Sequence, residues 1–227
     1  MESITQRLIN VRQRIADSAA KYHRSAQPVR LIAVSKTRTV DEIRSATRSG
    51  QRDFGENYLQ DALEKIKILA DEGICWHFIG PIQSNKTSQI AQHFDWVHSV
   101  DRAKIAQRLS TQRPKHLPPL NVCLQINIGT EASKSGIAID EAEALALEVL
   151  QLSNLRLRGL MAIPAPVDSF ELQRSFFCQL RNLYERLQEA GIDIDTLSMG
   201  MSNDLEAAIA EGATMVRIGT AIFGSRN

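Results

Sequence analysis

The stretch VRLIAVSKTRTVDEIRSATRSGQRDFG, residues 29–55, contains a complete strand–helix–strand unit. Its apolar start predicts a buried strand over residues 29–35, and its end predicts a short strand over residues 52–55. The intervening VDEIRSATRSG has its acidic residues first and its glycine last, which is the order that helix polarity favours. Two strands joined by a helix are typical of parallel pairing.

The same alternation continues along the chain. We predict eight strands, each followed by a helix or a helical turn, over residues 29–35, 52–55, 74–79, 95–99, 121–128, 156–162, 196–199 and 215–218. Eight such units predict an α/β fold, a single (β/α)8 TIM barrel that forms one domain over residues 1–227. An open doubly wound sheet is the alternative, but the glycine-rich turn of that fold does not follow the first strand.

An additional helix is predicted before the first strand, because apolar residues recur at positions 4, 8, 11 and 15. The 227 residues carry 27 Lys and Arg against 26 Asp and Glu, so net charge gives no reason to expect nucleic acid or a membrane as a partner. The three cysteines are far apart, and no signal-like apolar segment opens the chain. We therefore expect a cytoplasmic protein without a disulfide framework or a metal site.

Lys36 ends the first predicted strand and would lie on the face of the barrel where active sites form. A cation at the inner rim of a barrel is costly unless it is exposed, paired or neutralised. A Schiff base would neutralise the lysine. A lysine that points into solvent is the alternative, and Lys36 alone does not decide between the two.

The loops after the seventh and eighth strands are rich in backbone donors. They read SMGMSND, residues 198–204, and RIGTAIFG, residues 217–224. Barrels frequently bind phosphate with these two loops and the start of a short helix, which Gly219 and Thr220 would open here. Ser202 or Asn203 would cap the helix that follows the seventh strand. The two loops together predict a phosphate site, although each alone is also explained by an ordinary turn.

A lysine that faces a phosphate site indicates a phosphorylated aldehyde or ketone as ligand. Pyridoxal 5′-phosphate (PLP) and the sugar phosphate of a class I aldolase both fit. Arg217 favours PLP, because a planar, permanently charged donor can hydrogen-bond a pyridine nitrogen. A salt-bridged arginine at the end of a strand explains Arg217 equally well when it is read alone.

Seven motifs occur in series over nearly the whole chain. They are AVSKT (33–37), FGENY (54–58), WHFIGPIQSNK (76–86), SKSG (133–136), GLMAIP (159–164), LSMGMSND (197–204) and VRIGTAIFG (216–224). In this order they resemble the pyridoxal phosphate homeostasis (YggS/PROSC) proteins. The resemblance implies a single barrel related to the N-terminal domain of alanine racemase.

The resemblance also implies which residues hold PLP. Lys36 would carry the cofactor as a Schiff base, and Arg217 would face its pyridine nitrogen. The remaining residues would hold the phosphate or line the cofactor: Ser202, Gly219 and Thr220 for the phosphate, Asn57 and Met161 for the lining. His77, Lys86 and Lys134 lie in family motifs too, but we assign them no role. A packed histidine explains His77 as well as a cofactor contact does. Solvated loop lysines explain Lys86 and Lys134 as well as contact with anions at the rim does.

The expected function follows from the placement of Arg217 at the pyridine nitrogen of PLP. Because a guanidinium does not give up its proton, the pyridine would stay unprotonated and PLP would be a poor electron sink. Alanine racemase uses a tyrosine from a second domain as a second base, and we expect neither that domain nor the dimer here. The three tyrosines all fall in predicted helices. We therefore expect a monomer with an exposed Schiff base.

The resulting prediction is a PLP-binding protein of vitamin B6 and amino-acid homeostasis without robust catalytic activity. Its expected partner is PLP, and delivery of PLP to apo forms of PLP-dependent enzymes is left open. A weak amino-acid racemase of fold type III is the alternative. A sugar-phosphate aldolase is a third interpretation, which the lack of acid–base residues on neighbouring strands disfavours.

Overall fold

The structure is a computed structural model that describes residues 2–24, 28–128 and 135–224. Eight parallel strands close into a barrel in sequence order, with the last strand beside the first. The predicted (β/α)8 barrel is therefore confirmed. The strands are β1 (Arg30–Val34), β2 (Asp53–Glu56), β3 (Cys75–Phe78), β4 (Trp96–Val100), β5 (Leu120–Gln125), β6 (Leu155–Met161), β7 (Thr196–Ser198) and β8 (Met215–Ile218).

Helices alternate with the strands and form the outer layer. They are α1 (Ile4–Lys21), α2 (Val40–Arg48), α3 (Leu59–Ile68), α4 (Thr87–His93), α5 (Ala103–Gln112), α6 (Ala142–Leu150), α7 (Phe170–Glu189), α8 (Leu205–Ala210) and α9 (Thr220–Phe223). Short 3₁₀ turns occur at Ala70–Glu72 and Ser84–Lys86. None of the helices in the described ranges is long and apolar enough to cross a membrane.

The predicted N-terminal helix is present as α1, and its buried face is Leu8, Val11 and Ile15. It packs against α2, α8 and α9. Because α9 has only four residues, α1 fills the place in the outer layer that a full eighth helix would occupy. The apolar spacing in the sequence is thus explained by the packing of α1 against these helices of the outer layer.

One predicted strand ends earlier than expected. The sequence predicts a strand over residues 121–128, whereas β5 ends at Gln125. Ile126 instead forms an isolated bridge with Ile137, and the Asn127 N–H donates to the Ile137 carbonyl at 2.8 Å. The chain leaves the sheet there because its backbone groups find partners in the loop that returns toward α6.

Gly159 allows β6 and β7 to pair closely. Its φ is +154°, and a Cβ at this position would lie 1.9 Å from the carbonyl oxygen of Thr196. The register of β5 and β6 shifts next to it, between Val122 and Cys123. The glycine is therefore required both by the backbone angle and by the space between two strands.

We predict that Gly159→Ala destabilises the fold by about 3 kcal/mol or more, because the methyl group would separate β6 from β7. Gly73→Ala is the matched control, since Gly73 also has a positive φ of +63° but open space where a Cβ would lie. The control should cost only about 1–2 kcal/mol of backbone strain. Urea unfolding of both variants measures the difference, and equal losses would contradict this account.

Candidate functional site

Lys36 lies in a tight turn directly after β1. The Arg38 N–H donates to the Ser35 carbonyl at 3.0 Å and closes the turn. Thr37 has a φ of +63°, which is the left-handed region that residues other than glycine rarely adopt. Such strain is commonly found at functional sites. The turn presents the half-buried Lys36 at the C-terminal mouth of the barrel.

A buried ionic cluster anchors this turn from behind. The Lys65 ammonium donates to the Ser35 carbonyl at 2.9 Å and to Glu56 Oε1 at 3.0 Å. The Ser35 hydroxyl donates to the same carboxylate oxygen at 2.6 Å. Burial raises the pKa of Glu56, and Lys65 and Ser35 partly oppose that rise. The cluster fixes the backbone that carries Lys36. The position of Glu56 in a family motif was its only signal in the sequence.

Asn57 follows β2 at the same mouth. Its Oδ1 is buried and has no hydrogen-bond partner among the described residues. The loop after β3 packs closely on it, since a Cβ on Gly80 would lie 2.4 Å from the Asn57 carbonyl oxygen. A buried acceptor without a donor costs free energy, so this atom is suited to receive a hydrogen bond from a ligand.

Arg217 is buried on β8 and is held by neutral acceptors. Its Nη1 donates to the Ser198 carbonyl at 2.6 Å and to the Ser198 hydroxyl at 2.7 Å, and its Nη2 donates to the Ala162 carbonyl at 2.9 Å. No carboxylate among the described residues forms a salt bridge with it, so the alternative of a salt-bridged arginine is wrong. Burial lowers the pKa of Arg217 to about 10, and the guanidinium stays charged at neutral pH.

The loop after β7 turns at Gly200, whose φ is +96°. The prediction that Ser202 or Asn203 caps α8 is wrong, because Asp204 is the N-cap residue. The Asp204 carboxylate accepts from the Met201 N–H at 2.5 Å and thereby closes the loop. The half-buried Ser202 is consequently not used as a cap, and its hydroxyl is available to a ligand.

The loop after β8 lies against the end of β1. A Cβ on Gly219 would be 3.4 Å from both the Cβ and the carbonyl oxygen of Val34, which is the last residue of β1. Gly219 caps α9, and Thr220 is its first residue. The first N–H groups of a helix have no acceptor within the helix. The glycine thus brings backbone donors next to the turn that carries Lys36.

The remaining predicted residues are placed as follows. Met161 ends β6 and is fully buried inside the barrel in a cluster with Ile32, Trp96, Cys123 and Met215. Lys86 is half-buried at the start of α4, and Lys134 lies outside the described residues. His77 is fully buried and hydrogen-bonded inside the barrel, as the packed-histidine explanation requires.

The predicted site residues come from one continuous arc of the mouth. They stand at or just after the ends of β6, β7, β8, β1 and β2, which are consecutive neighbours in the closed sheet. The residues of this arc are Lys36, Asn57, Met161, Ser202, Arg217, Gly219 and Thr220. The arrangement therefore brings a lysine, the two loops after β7 and β8, and a buried arginine to the same mouth of the barrel.

Three further polar side chains, those of Asp53, His98 and Ser198, form a hydrogen-bonded line with His77 and were missed by the sequence analysis. His77 bonds Asp53 at 3.0 Å and His98 at 2.9 Å, and His98 bonds the Ser198 hydroxyl at 2.8 Å. Burial lowers the pKa of both histidines, and the Asp53 hydrogen bond only partly offsets this for His77. A histidine in an apolar strand gives no sequence signal for such a contact.

Asp53, Cys75 and His77 also place three potential metal ligands within 4.8 Å of one another. The Arg30 guanidinium already donates to Asp53 and to Cys75 Sγ, the latter at 3.6 Å. Burial raises the pKa of Cys75 to about 12, so its thiol stays protonated at neutral pH. A cation beside a protonated thiol disfavours a metal ion, and the absence of a metal site stays a prediction.

Comparison with known proteins shows to which class of barrel this fold belongs. Residues 11–227 match the family model described as alanine racemase, N-terminal domain. The alanine racemase of Corynebacterium glutamicum has a TM-score of 0.68 and 17% identity, covering 95% of this chain and 62% of that chain, which shows the fold alone. The geometry and the match define a barrel of the alanine racemase N-terminal class.

Relatives with higher identity define the family more narrowly. A pyridoxal phosphate homeostasis protein of Pseudomonas aeruginosa is 59% identical over 227 residues, covering 100% of this chain and 97% of that protein. The structure of PipY from Synechococcus elongatus PCC7942 with PLP bound has a TM-score of 0.80 and 37% identity, covering 92% of this chain and 100% of that chain. The chain belongs to the pyridoxal phosphate homeostasis protein family, and the resemblance read from its seven motifs is confirmed.

The two buried histidines predict a loss of stability in acid. Their folded pKa values lie below the ordinary value near 6.5, so the unfolded chain binds more protons below that pH. Stability should therefore fall as the pH drops from 7.5 to 5.5, by on the order of 2 kcal/mol. Urea unfolding at the two pH values measures this loss.

A pair of variants tests the origin of that loss. His98→Gln should reduce the pH dependence, because one buried ring no longer titrates on unfolding. The control His116→Gln changes an exposed histidine and should leave the dependence at its wild-type size. Equal slopes for the two variants would contradict the assignment to the barrel interior.

Proposed function

We propose that this chain binds PLP at the C-terminal mouth of the barrel and serves PLP and amino-acid homeostasis rather than robust catalysis. The observation that carries the proposal is the pairing of β8 with β1, in which Ile218 lies beside Ala33 and Gly219 follows next to Val34. It sets the phosphate-type loop after β8 beside the turn that carries Lys36. A relative of the same family has been solved with PLP bound.

The phosphate of PLP is proposed to bind between the loops after β7 and β8. Ser202 offers its hydroxyl, and Gly219 and Thr220 offer backbone N–H groups. The Arg14 guanidinium reaches the same region, since its Nη2 lies 3.4 Å from the Ser202 carbonyl oxygen. Backbone donors and a nearby positive charge are the features that phosphate binding requires.

Arg217, Asn57 and Met161 are proposed to hold the pyridine ring. Among the described residues, the hydrogen bonds of Arg217 all use Nη1 and Nη2, which leaves its Nε–H for a ligand. That N–H can donate to a pyridine nitrogen. The buried Oδ1 of Asn57 can accept from the ring hydroxyl of PLP. Each polar group of the ring thus has a complementary atom in the chain.

Lys36 is proposed to bond the cofactor covalently. Its neutral amine would add to the aldehyde carbon, and loss of water would leave an exposed Schiff base. When bound, PLP stabilises carbanions best with a protonated pyridine nitrogen. Arg217 stays charged at neutral pH and keeps its proton, so it favours the unprotonated ring. This weakens the catalytic power of PLP and supports a role in storage and regulation.

The wider assignments are part of the same proposal. We propose that residues 1–227 form one PLP-binding domain that acts as a cytoplasmic monomer, with free PLP as its partner. Apo PLP-dependent enzymes are the proposed recipients if PLP is transferred. Nucleic acid and membranes are not proposed partners, in keeping with the balanced charge.

A weak amino-acid racemase of fold type III is the second candidate, favoured by the fold shared with alanine racemase. It needs a second base beside Lys36. Tyr22 is bonded to Glu206 and Tyr184 to the Ile194 carbonyl, whereas Tyr58 follows β2 at the mouth and is 56% exposed. Racemisation of L-alanine by the holoprotein that is lost in Tyr58→Phe would favour this candidate.

We predict that PLP gives the wild-type protein a visible Schiff-base absorption band that borohydride bleaches. Lys36→Ala should show no such band, because the bonding amine is absent. Lys86→Ala is the matched control, a lysine in a neighbouring loop of the same mouth, and should keep the band. Spectral titration with PLP measures all three proteins. A band that persists in Lys36→Ala would contradict the assignment, and a wild type without any band would contradict PLP binding.

A further inference from the structure

A continuous line of hydrogen bonds crosses the inside of the barrel. Successive donor–acceptor distances along it are 3.0, 2.9, 2.8 and 2.7 Å. The bond from His98 on β4 to Ser198 on β7 joins strands that are not neighbours in the sheet, so it spans the interior. We call this line the axial relay; its members in order are Asp53, His77, His98, Ser198 and Arg217.

The two ends of the axial relay fix the direction of every bond in it. A carboxylate only accepts, so His77 must carry its proton on Nε2, which faces Asp53. At the other end a guanidinium only donates, so the Ser198 oxygen accepts from Arg217. The Ser198 hydroxyl is then free to donate to His98 Nδ1.

The middle bond completes the same direction. With a proton on Nε2, a neutral His77 presents Nδ1 as an acceptor, and His98 Nε2 donates to it at 2.9 Å. Both rings are fully buried, which favours their neutral form. Every donor therefore points from Arg217 toward Asp53. With two neutral rings, only one pair of tautomers, both protonated on Nε2, satisfies all four bonds.

The axial relay connects the two mouths of the barrel. Asp53 lies at the N-terminal mouth, where its side chain is 15% exposed and pairs with Arg30. It lines an open cavity of about 610 Å³ together with Gln51 and Arg52. Arg217 lies at the C-terminal mouth, in the arc of proposed cofactor residues. Asp53 is the first member of the axial relay and Arg217 is the last. A change of charge at Asp53 can therefore be transmitted to Arg217 through the hydrogen bonds between them.

We propose that the axial relay is a positioning device: the charge of Asp53 locks the tautomers of both histidines, and this locked chain orients the guanidinium of Arg217 toward the ligand. The consequence for PLP rests on the function proposed above. Without the carboxylate charge, either tautomer of each ring becomes accessible. The Ser198 hydroxyl then has no fixed acceptor, so the Ser198 oxygen that accepts from Arg217 is no longer held in one orientation, while the two carbonyl bonds of Arg217 remain. A merely packed core would show no such dependence on one distant charge.

The locking of the histidine tautomers by Asp53 is tested on the full-length protein, which is labelled with ¹⁵N-histidine and contains no cofactor. Long-range ¹H–¹⁵N correlation spectra at pH 7 report which ring nitrogen carries the proton, and His77→Asn and His98→Asn assign the signals. Wild type should show both rings protonated on Nε2 alone. Asp53→Asn should add signals of the Nδ1-protonated tautomer. Asp195→Asn removes another carboxylate–arginine pair, that with Arg158, and should leave the wild-type pattern.

Three results would overturn the proposed role of the axial relay. One is a wild-type ring protonated on Nδ1 at pH 7, and another is a doubly protonated ring. The third is the same spectrum for Asp53→Asn and Asp195→Asn. If Asp53→Asn fails to fold, the wild-type spectrum alone still decides the direction of the bonds. Because these spectra need no PLP, failure of the axial relay is distinguishable from failure of the proposed function.

The effect on the ligand is measured by PLP titration. Ser198→Ala removes the hydroxyl that joins Arg217 to His98 and should weaken PLP binding about tenfold. Ser198→Thr keeps a hydroxyl and should bind close to the wild-type value. Thr47→Ala, which removes a buried hydroxyl within α2, is the control and should bind like wild type. Equal affinities for Ser198→Ala and wild type would refute the link to Arg217.

Discussion

A buried guanidinium that, within the described part of the chain, is held only by neutral acceptors is the constraint on which the site depends. Arg217 is 4% exposed, and its bonds go to two carbonyls and one hydroxyl. A buried charge without a counter-ion is costly and needs many well-placed hydrogen bonds. Those bonds come from the ends of β6 and β7, so the closed barrel is required for the arginine to be tolerated. The uncompensated charge is thus left for a ligand.

The backbone around Lys36 is also held in a fixed conformation at a cost in stability. A left-handed Thr37, a buried Glu56–Lys65 pair and the packing of Gly219 on Val34 all fix the turn that presents the lysine. Strain and buried charge both lower stability, and they persist where function requires a fixed geometry. The two mouths of the barrel therefore differ in kind. The C-terminal mouth presents the groups proposed to bind PLP, and the N-terminal mouth presents paired carboxylates and arginines.

Hydrophobic periodicity and turn residues were sufficient to predict the barrel, because each strand and each helix is specified by residues that are close together in the sequence. Placing Lys36 at the active mouth followed from strand order alone. The contact of His98 with Ser198 could not be predicted, because only closure of the sheet brings residues that are 100 positions apart together. The N-cap position of α8 was predicted at Ser202 or Asn203 and is occupied by Asp204, whose carboxylate accepts from the Met201 N–H and does not cap the helix. The sequence could not decide this, because several residues of the capping type stand in a row.

The most direct test of the central claim, that Lys36 bonds PLP beside Arg217, is peptide mapping by mass spectrometry. The holoprotein is reduced with borohydride and digested, and the peptides are searched for the mass of a pyridoxyl phosphate adduct. We predict one modified residue, Lys36, at near-stoichiometric yield. An adduct carried mainly by Lys65 or Lys86, or no adduct at all, would contradict the account.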